Sequence, residues 1–295
     1  MTQAKVRSRG SRLALVPMGT GCDFARNFAQ PHYNTRNIVN ILESIVADRA
    51  AAKPPDKIDL MRVTAMKLPA KEETAPTTTT TTTTTRICVN VVSVGLSAVV
   101  ARIVGKFKIF GRKLAYVFAT IVAFFMHRNT NVRCATEPAS MSLRAESGTQ
   151  QDDGVVDGTV RNMTCVAIGN GAYFGGGMKI CPDASVSDSR LMMVMLKGFS
   201  VLDFLRKGAK LFSGDHVHLP KDEVSVNRQI AGVSITPDDT DEKEDGNADT
   251  GSKADLLSMP SRGHARPLFV ETDGEVVGVA PVTVELLPAA VELYS

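Results

Sequence analysis

No stretch of this 295-residue chain holds the roughly 20 consecutive apolar residues that a membrane-spanning helix needs. Leu114 to Met126 is almost wholly apolar but too short, and Ile87 to Val104 is interrupted by Asn90, Ser93, Gly95 and Arg102. An excess of one charge is lacking as well. Lys and Arg number 34 against 31 Asp and Glu, a net charge of +3, too small to argue for nucleic acid as a partner. The five cysteines (Cys22, Cys88, Cys134, Cys165, Cys181) are odd in number and form no Cys-x-x-Cys pair. That argues against a disulfide framework and predicts scattered core thiols in a reducing compartment. Acidic residues are absent from Met1 to Arg12, which carries Lys5, Arg7, Arg9 and Arg12. A transit peptide has such a composition, but the segment runs straight into a strand, which favours a structural role. The hydrophobic content of 43% is enough for two cores.

What is present begins with Leu13-Ala14-Leu15-Val16-Pro17-Met18-Gly19-Thr20-Gly21-Cys22-Asp23-Phe24-Ala25-Arg26. Four apolar residues predict a short buried strand, and Pro17 stops it because proline has no N–H for a ladder. Gly19 and Gly21 let the backbone approach a ligand closely on either side of the Thr20 hydroxyl. Asp23 starts a segment of helical character, Phe24 to Gln30, closed by Pro31. Strand, glycine turn and helix start together aim free backbone N–H groups at a phosphate. An ordinary turn uses the same residues. Asp23 serves either as a helix cap or as a group facing phosphates or a metal, and the two roles are compatible.

Further along, a helix is expected from about Thr35 to Ala52, with Ile38, Ile41, Leu42, Ile45 and Val46 on one stripe and Pro54-Pro55 as its stop. Ile58 to Met66 is a strand. Residues 70–85 form an insertion ending in the threonine run Thr77 to Thr85, a polar tract expected to be a disordered loop. Arg86 to Val94 is one buried strand, followed by helices from about Leu96 to Gly105 and Arg112 to Arg128. Lys106, Lys108, Arg112 and Lys113 cluster at their junction, as a solvated face or as an attraction to an anionic membrane.

Beyond Asn131 the pattern is mostly strands: 131–136, 159–169, 191–196, 223–235, 268–271, 276–279, 282–286 and 291–294, with one helix near Val201 to Phe212. Ala145 to Gly158 is a polar loop. The acidic stretch Pro237 to Asp255 has no ligand spacing, and a disordered solvated loop is expected over 237–262. His216 and His218 alternate on a strand-like segment, suited to packing rather than to metal. Gly175-Gly176-Gly177 predicts a close backbone approach, and Asp273-Gly274 between apolar runs predicts a tight hairpin turn. The fold class expected is α+β in two domains: part of an α/β nucleotide-binding domain, then a mostly antiparallel β-sandwich.

These segments carry a resemblance. Pro17 to Arg26 resembles the Pro-Leu-Gly-Thr-Gly-Asn-Asp-Phe-Ala-Arg motif of the diacylglycerol kinase catalytic-domain family, which includes bacterial lipid kinases, sphingosine and ceramide kinases and diacylglycerol kinases. In the right order follow Asn90 to Ala98 (Asn-x-x-Ser-x-Gly-x-x-Ala), Gly111 to Tyr116 (Gly-x-x-x-x-Tyr), Asn170 to Ala184 (Asn-Gly-x-Tyr-Phe-Gly-Gly-Gly-Met-x-Ile-x-Pro-x-Ala), Gly214 to His216 (Gly-x-His) and Asp273 to Glu275 (Asp-Gly-Glu). Together they span nearly the whole chain.

The resemblance implies an ATP-dependent lipid kinase that transfers the γ-phosphate to a lipid hydroxyl, foremost that of diacylglycerol, with ATP and Mg²⁺ as its requirements. Gly19, Thr20 and Gly21 would hold the nucleotide. Asp23 and Glu275 would be catalytic, with Glu275 as the general base. Asp188 and the main-chain carbonyls of Leu191 and Met193 would hold a structural cation. The implied partners are ATP, a lipid substrate and a membrane surface, with no nucleic acid, in a cytoplasmic protein peripheral at membranes. Residues 1–57 would be part of the nucleotide-binding domain, 58–270 the β-rich domain, and 271–295 strands returning toward the cleft. Three departures stand out: Cys22 replaces the family asparagine, Ser189 replaces a glycine beside Asp188, and no Gly-Gly-Asp-Gly-Thr loop occurs. The last leads to the expectation that a chain with only these residues transfers little phosphate. Alternatives are a sphingosine or ceramide kinase, a non-catalytic lipid-binding or scaffolding remnant, and, distantly, an NAD kinase.

Overall fold

The sheet is built by alternation. In Asp56–Met66 (β2), Met61, Val63 and Ala65 turn inward while their neighbours are half-exposed. Val91–Gly95 (β4) and Leu191–Lys197 (β7) are instead buried on both faces, which is why their sequences are continuous apolar runs. The computed structural model describes residues 12–15, 22–28, 38–51, 54–68, 82–110, 112–139, 158–238 and 267–294. The remaining strands are Arg12–Ala14 (β1), Thr83–Cys88 (β3), Thr130–Pro138 (β5), Gly158–Gly169 (β6), Val224–Pro237 (β8), Phe269–Thr272 (β9) and Glu275–Tyr294 (β10). The helices are Ile38–Ala50 (α1), Leu96–Val104 (α2), Arg112–Met126 (α3) and Val201–Ser213 (α4).

The strands form one sheet in the order β3-β2-β10-β9-β4-β6-β5-β8-β7, with β6 also paired to β7 and β8 to β10. Those extra pairings fold the sheet back on itself as a barrel-like, mostly antiparallel body. Strand β10 holds it together. It pairs with β9 near Val276, with β2 from Val279 to Leu293, and with β8 at Val282 to Glu285, and β1 joins it in parallel. One core, with Val92, Val94, Val166, Ile168, Met193 and Met195, fills the barrel. A second, with Val91, Cys165, Ala167, Met192, Val194 and Phe269, lies on the outer face under helices α2, α3 and α4. A helix needs a partner surface: α2 finds it on β4, β6 and β9, and α3 finds it on α2.

Several expectations change. Arg86 to Val94 is two strands, broken at Val89 and Asn90. Thr83, Thr84 and Thr85 of the threonine run belong to β3, paired to Met66, Ala65 and Thr64, because a β-branched residue fits a pleated edge even when polar. Residues 70–81 and 239–262 of the two expected loops lie outside the described residues. The three C-terminal strands are one continuous β10, with register shifts where separate strands were expected. Of the expected helical segment Phe24 to Gln30, Phe24–Asn27 is a 3₁₀ turn, and residues 29 and 30 lie outside the described residues. His216 and His218 sit on a 3₁₀ turn, Asp215–His218, not a strand. His216 is fully buried between the carbonyls of Ile180 (3.0 Å) and Lys210 (3.3 Å), and burial lowers its pKa. All five cysteines are free, four of them buried. Among the described residues no helix is long and apolar enough to cross a membrane.

Candidate active site

A cavity of about 500 Å³ lies between the outer face of β4, β6 and β9 and the inner faces of α2, α3 and α4. Its walls are apolar: Val100 and Val104 from α2, Phe124 from α3, Phe204 and Leu211 from α4. Asp23, Tyr116, Glu271 and Asp273 are among the lining residues, and they are neighbours: the Asp23 and Glu271 charges both act on Tyr116, and the Asp273 charge acts on Glu271. An apolar body with a few convergent polar groups is the form of a small-molecule site.

Asp23 reaches the cavity through the loop after β6. Its Oδ2 accepts the Gly176 N–H at 2.8 Å. Its Oδ1 is buried with no hydrogen-bond donor and lies 3.5 Å from Arg26 Nε. Burial raises the carboxyl pKa, against the Gly176 amide and the Arg26 charge, which lower it. The loop can present that amide because Gly175, Gly176 and Gly177 hold φ of 59°, 86° and 111° in succession, a run that side chains with a Cβ resist. A Cβ on Gly177 would lie 3.5 Å from the Arg26 guanidinium.

The same turn is bolted to the barrel by two asparagines. Asn27 Nδ2 donates to Phe24 O at 2.9 Å and to Asn90 Oδ1 at 3.2 Å, and its Oδ1 accepts the Ala172 N–H at 2.7 Å. Asn90 Nδ2 donates to Tyr173 O at 2.7 Å, and Asn90 O accepts the amides of Asn170 (2.9 Å) and Gly171 (3.0 Å). A Cβ on Gly171 would overlap Asn90 Oδ1 and Asn27 Nδ2. The motif residues Asn90, Asn170 and Gly171 therefore act as a joint.

Asp273 and Gly274, at φ 50° and 93°, form the two-residue turn between β9 and β10, as expected of a primed hairpin turn. The Asp273 carboxylate is taken up by the amides of Val89 (2.8 Å), Asn90 (3.0 Å) and Val91 (3.2 Å) and by Cys88 Sγ (3.2 Å). Glu271 was not singled out from the sequence. It is 5% exposed, accepts hydrogen bonds from Ser93 Oγ and the Gly274 amide, and lines the cavity. Burial, with help from the nearby Asp273 charge, pushes its carboxyl up to about 7. A polar residue among Leu268, Phe269 and Val270 was the signal available. Glu275, two residues past Asp273, is exposed at the start of β10 and does not line the cavity. Gly19, Thr20 and Gly21 lie outside the described residues.

Asp188, Leu191 and Met193 sit at the other end of β7. Leu191 and Met193 are fully buried in the barrel core. Asp188 Oδ1 accepts the Arg190 N–H at 3.1 Å. Burial, with a smaller contribution from the nearby Asp59 charge, pushes the Asp188 carboxyl up to about 6, against the Arg190 amide and charge. Ser189 takes φ 58°, in the left-handed region that favours glycine. Its amide donates to Asp59 Oδ2 at 2.7 Å, and Asp59 Oδ1 takes the Ala289 amide at 2.6 Å. Among the described residues no three His, Cys, Asp or Glu side chains gather as a metal site. A cation at Asp188 would need main-chain carbonyls for its remaining ligands, which suits Mg²⁺ or Ca²⁺.

Residues 90–295 match the family described as the YegS C-terminal NAD kinase beta sandwich-like domain. A stretch of 93 residues, 28% of this chain, is 42% identical to proteins named diacylglycerol kinase from two Mycobacterium tuberculosis strains, CDC 1551 / Oshkosh and H37Rv; it spans 29% of their length. Two solved structures from Bacillus anthracis str. Sterne, each proposed to be a diacylglycerol kinase, share the fold. They have TM-scores of 0.51 and 0.52 at 17% identity, covering 96% of this chain and 68% and 67% of theirs. With the family domain matched over most of its length, the chain belongs to the diacylglycerol kinase family.

Proposed function

We propose that the chain forms the acceptor side of an ATP-dependent lipid kinase, with diacylglycerol as the acceptor. The observation that carries this is the apolar cavity whose polar groups gather around Asp23, Tyr116 and Glu271. An acyl chain suits the apolar walls, and the hydroxyl to be phosphorylated suits the carboxylates. In this division residues 1–57 belong to the nucleotide side, 58–270 to the acceptor side, and 271–295 complete the cleft between them.

In the reaction the lipid hydroxyl oxygen forms a bond to the γ-phosphorus, the bond from that phosphorus to the bridging oxygen of ADP breaks, and the hydroxyl proton passes to a carboxylate. The amides around Gly19, Thr20 and Gly21 hold the phosphates. Asp23, whose buried Oδ1 has no hydrogen-bond donor and lies 3.5 Å from Arg26 Nε, would hold a Mg²⁺ ion in place of that contact, and the ion would neutralise the developing charge. Glu275 is the base in this reading, beside the Asp273-Gly274 turn that lines the cavity. Glu271 is a second candidate base, favoured by its place in the cavity and a carboxyl near neutrality.

Because little transfer is expected without a Gly-Gly-Asp-Gly-Thr loop, the reading is tested by transfer of labelled γ-phosphate from Mg·ATP to diacylglycerol in a chain extended upstream to carry that loop. Glu275→Gln is expected to cut turnover at least 10²-fold while nucleotide binding persists. Turnover lost in Glu271→Gln and kept in Glu275→Gln moves the base to Glu271. Turnover kept in both removes the assigned chemistry.

A further inference from the structure

Helices α3 and α4 are apolar on two sides. Their inner faces line the cavity through Tyr116, Thr120 and Phe124 and through Phe204 and Leu211. Their outer faces are apolar as well. On α3, Leu114, Phe118, Val122 and Phe125 are exposed, Phe125 by 80%. Steps of four, four and three residues set them on one stripe. On α4, Leu202, Leu205 and Phe212 are more than half exposed, again at helical spacing. The Phe124 and Phe204 rings meet at 6.0 Å between centroids, so the helices touch beside these stripes. A surface helix normally turns its polar face to water, and contiguous exposed apolar surface marks a site that something covers.

The charge around the stripes indicates what covers them. Between residues 96 and 136 the sequence has no Asp or Glu, and Lys106 and Arg128, which flank α3, are exposed. On α4, Arg206 and Lys210 are exposed. The helix's one acid, Asp203, is engaged by Ser200 and Lys207. A second copy of the chain would bring this cationic surround against itself. Apolar stripes amid Lys and Arg are instead the features of a surface that dips into an anionic leaflet, which attracts such residues by about 1 kcal/mol each near the bilayer.

We propose that the outer faces of α3 and α4 form a membrane-docking surface for an anionic leaflet. The cavity walled by the inner faces of the same helices is thereby held at the membrane, where its acceptor resides. The proposal rests on the lipid-kinase reading of the cavity and names the surface by which the protein reaches its substrate.

Co-sedimentation with phosphatidylcholine vesicles, with and without phosphatidylserine, tests it without a kinase assay. Binding is expected on the anionic vesicles and should weaken as salt rises. The double substitution Phe125→Ser and Leu205→Ser should lower partitioning about tenfold or more. Arg128→Glu with Lys210→Glu should remove the preference for phosphatidylserine. All four side chains are exposed and none lines the cavity, so melting temperature and turnover of a water-soluble short-chain acceptor stay at the wild-type level. Equal binding to both vesicle types overturns the proposal, as does unchanged partitioning of the Phe125→Ser, Leu205→Ser protein. A dimer formed without vesicles and abolished by those substitutions also overturns it, in favour of a second copy. No turnover of the short-chain acceptor by the chain extended with a Gly-Gly-Asp-Gly-Thr loop, beside intact vesicle binding, would count against the kinase reading alone.

Discussion

Asn27 and Asn90 meet across 63 residues of sequence, with Asn27 Nδ2 donating to Asn90 Oδ1 at 3.2 Å over the bare backbone of Gly171. This contact fixes the Asp23 turn, and with it one carboxylate of the cavity, to the barrel. Asn27→Ala leaves the Ala172 amide without its acceptor, and Gly171→Ala forces both asparagines aside. Each is expected to destabilise by about 1–3 kcal/mol. Because they disturb one joint, the double variant should lose less than the sum. Chemical denaturation of the four proteins measures it, and strict additivity would show that the two residues do not act together.

Glu271 gives the fold a pH signature. Its carboxyl is raised from 4.5 to about 7, first by burial. A raised carboxylate contributes stability that is fully present below about pH 4.5 and lost as pH climbs through 7, since the ionised form is the costly one in the fold. The loss approaches roughly 3 kcal/mol at the alkaline end. Glu271→Gln carries no such charge, so its melting temperature relative to wild type should rise between pH 5 and pH 8. A constant difference over that range would mean that Glu271 is ionised throughout.

Ser189 holds φ 58°, where a Cβ is strained and glycine is not. Ser189→Gly should therefore stabilise the protein by up to about 1 kcal/mol. A loss of stability in thermal melts would show that the Asp59 contact to the Ser189 amide already absorbs the strain.

Asp188 tests the cation. Mg²⁺ or Ca²⁺ should raise the melting temperature of the wild type and leave Asp188→Ala unmoved, because a bound cation offsets the burial that pushes this carboxyl up to about 6. Equal shifts in both proteins would take the site out of the account.

The strands and helices of the barrel were legible wherever one face was buried, as in β2, or where an apolar run had helices on one side and the barrel core on the other, as in β7. The Asp273-Gly274 turn was legible because two successive positive φ values select those residue types. The continuity of β10 was not, because bulges at Val279 and Leu287 break its alternation into apparent separate strands. At the site, Asp23 was legible from its motif. Glu271 was hidden, since its burial depends on the α2–β9 packing and on Ser93, 178 residues away. The role of Asn27 was hidden for the same reason, as its partners Asn90 and Ala172 are distant in sequence.

In the proposed function the cavity takes the lipid acceptor. The chain has no tryptophan, so Phe124→Trp places a single indole in the cavity wall. A diacylglycerol carrying a brominated acyl chain, kept below the concentration at which it aggregates, should quench that indole saturably. Adding Ala101→Phe, which fills the cavity from α2, should weaken the binding at least tenfold with little change in melting temperature. Absence of quenching at any lipid concentration in that range, or quenching that is indifferent to the filled cavity, would contradict the account.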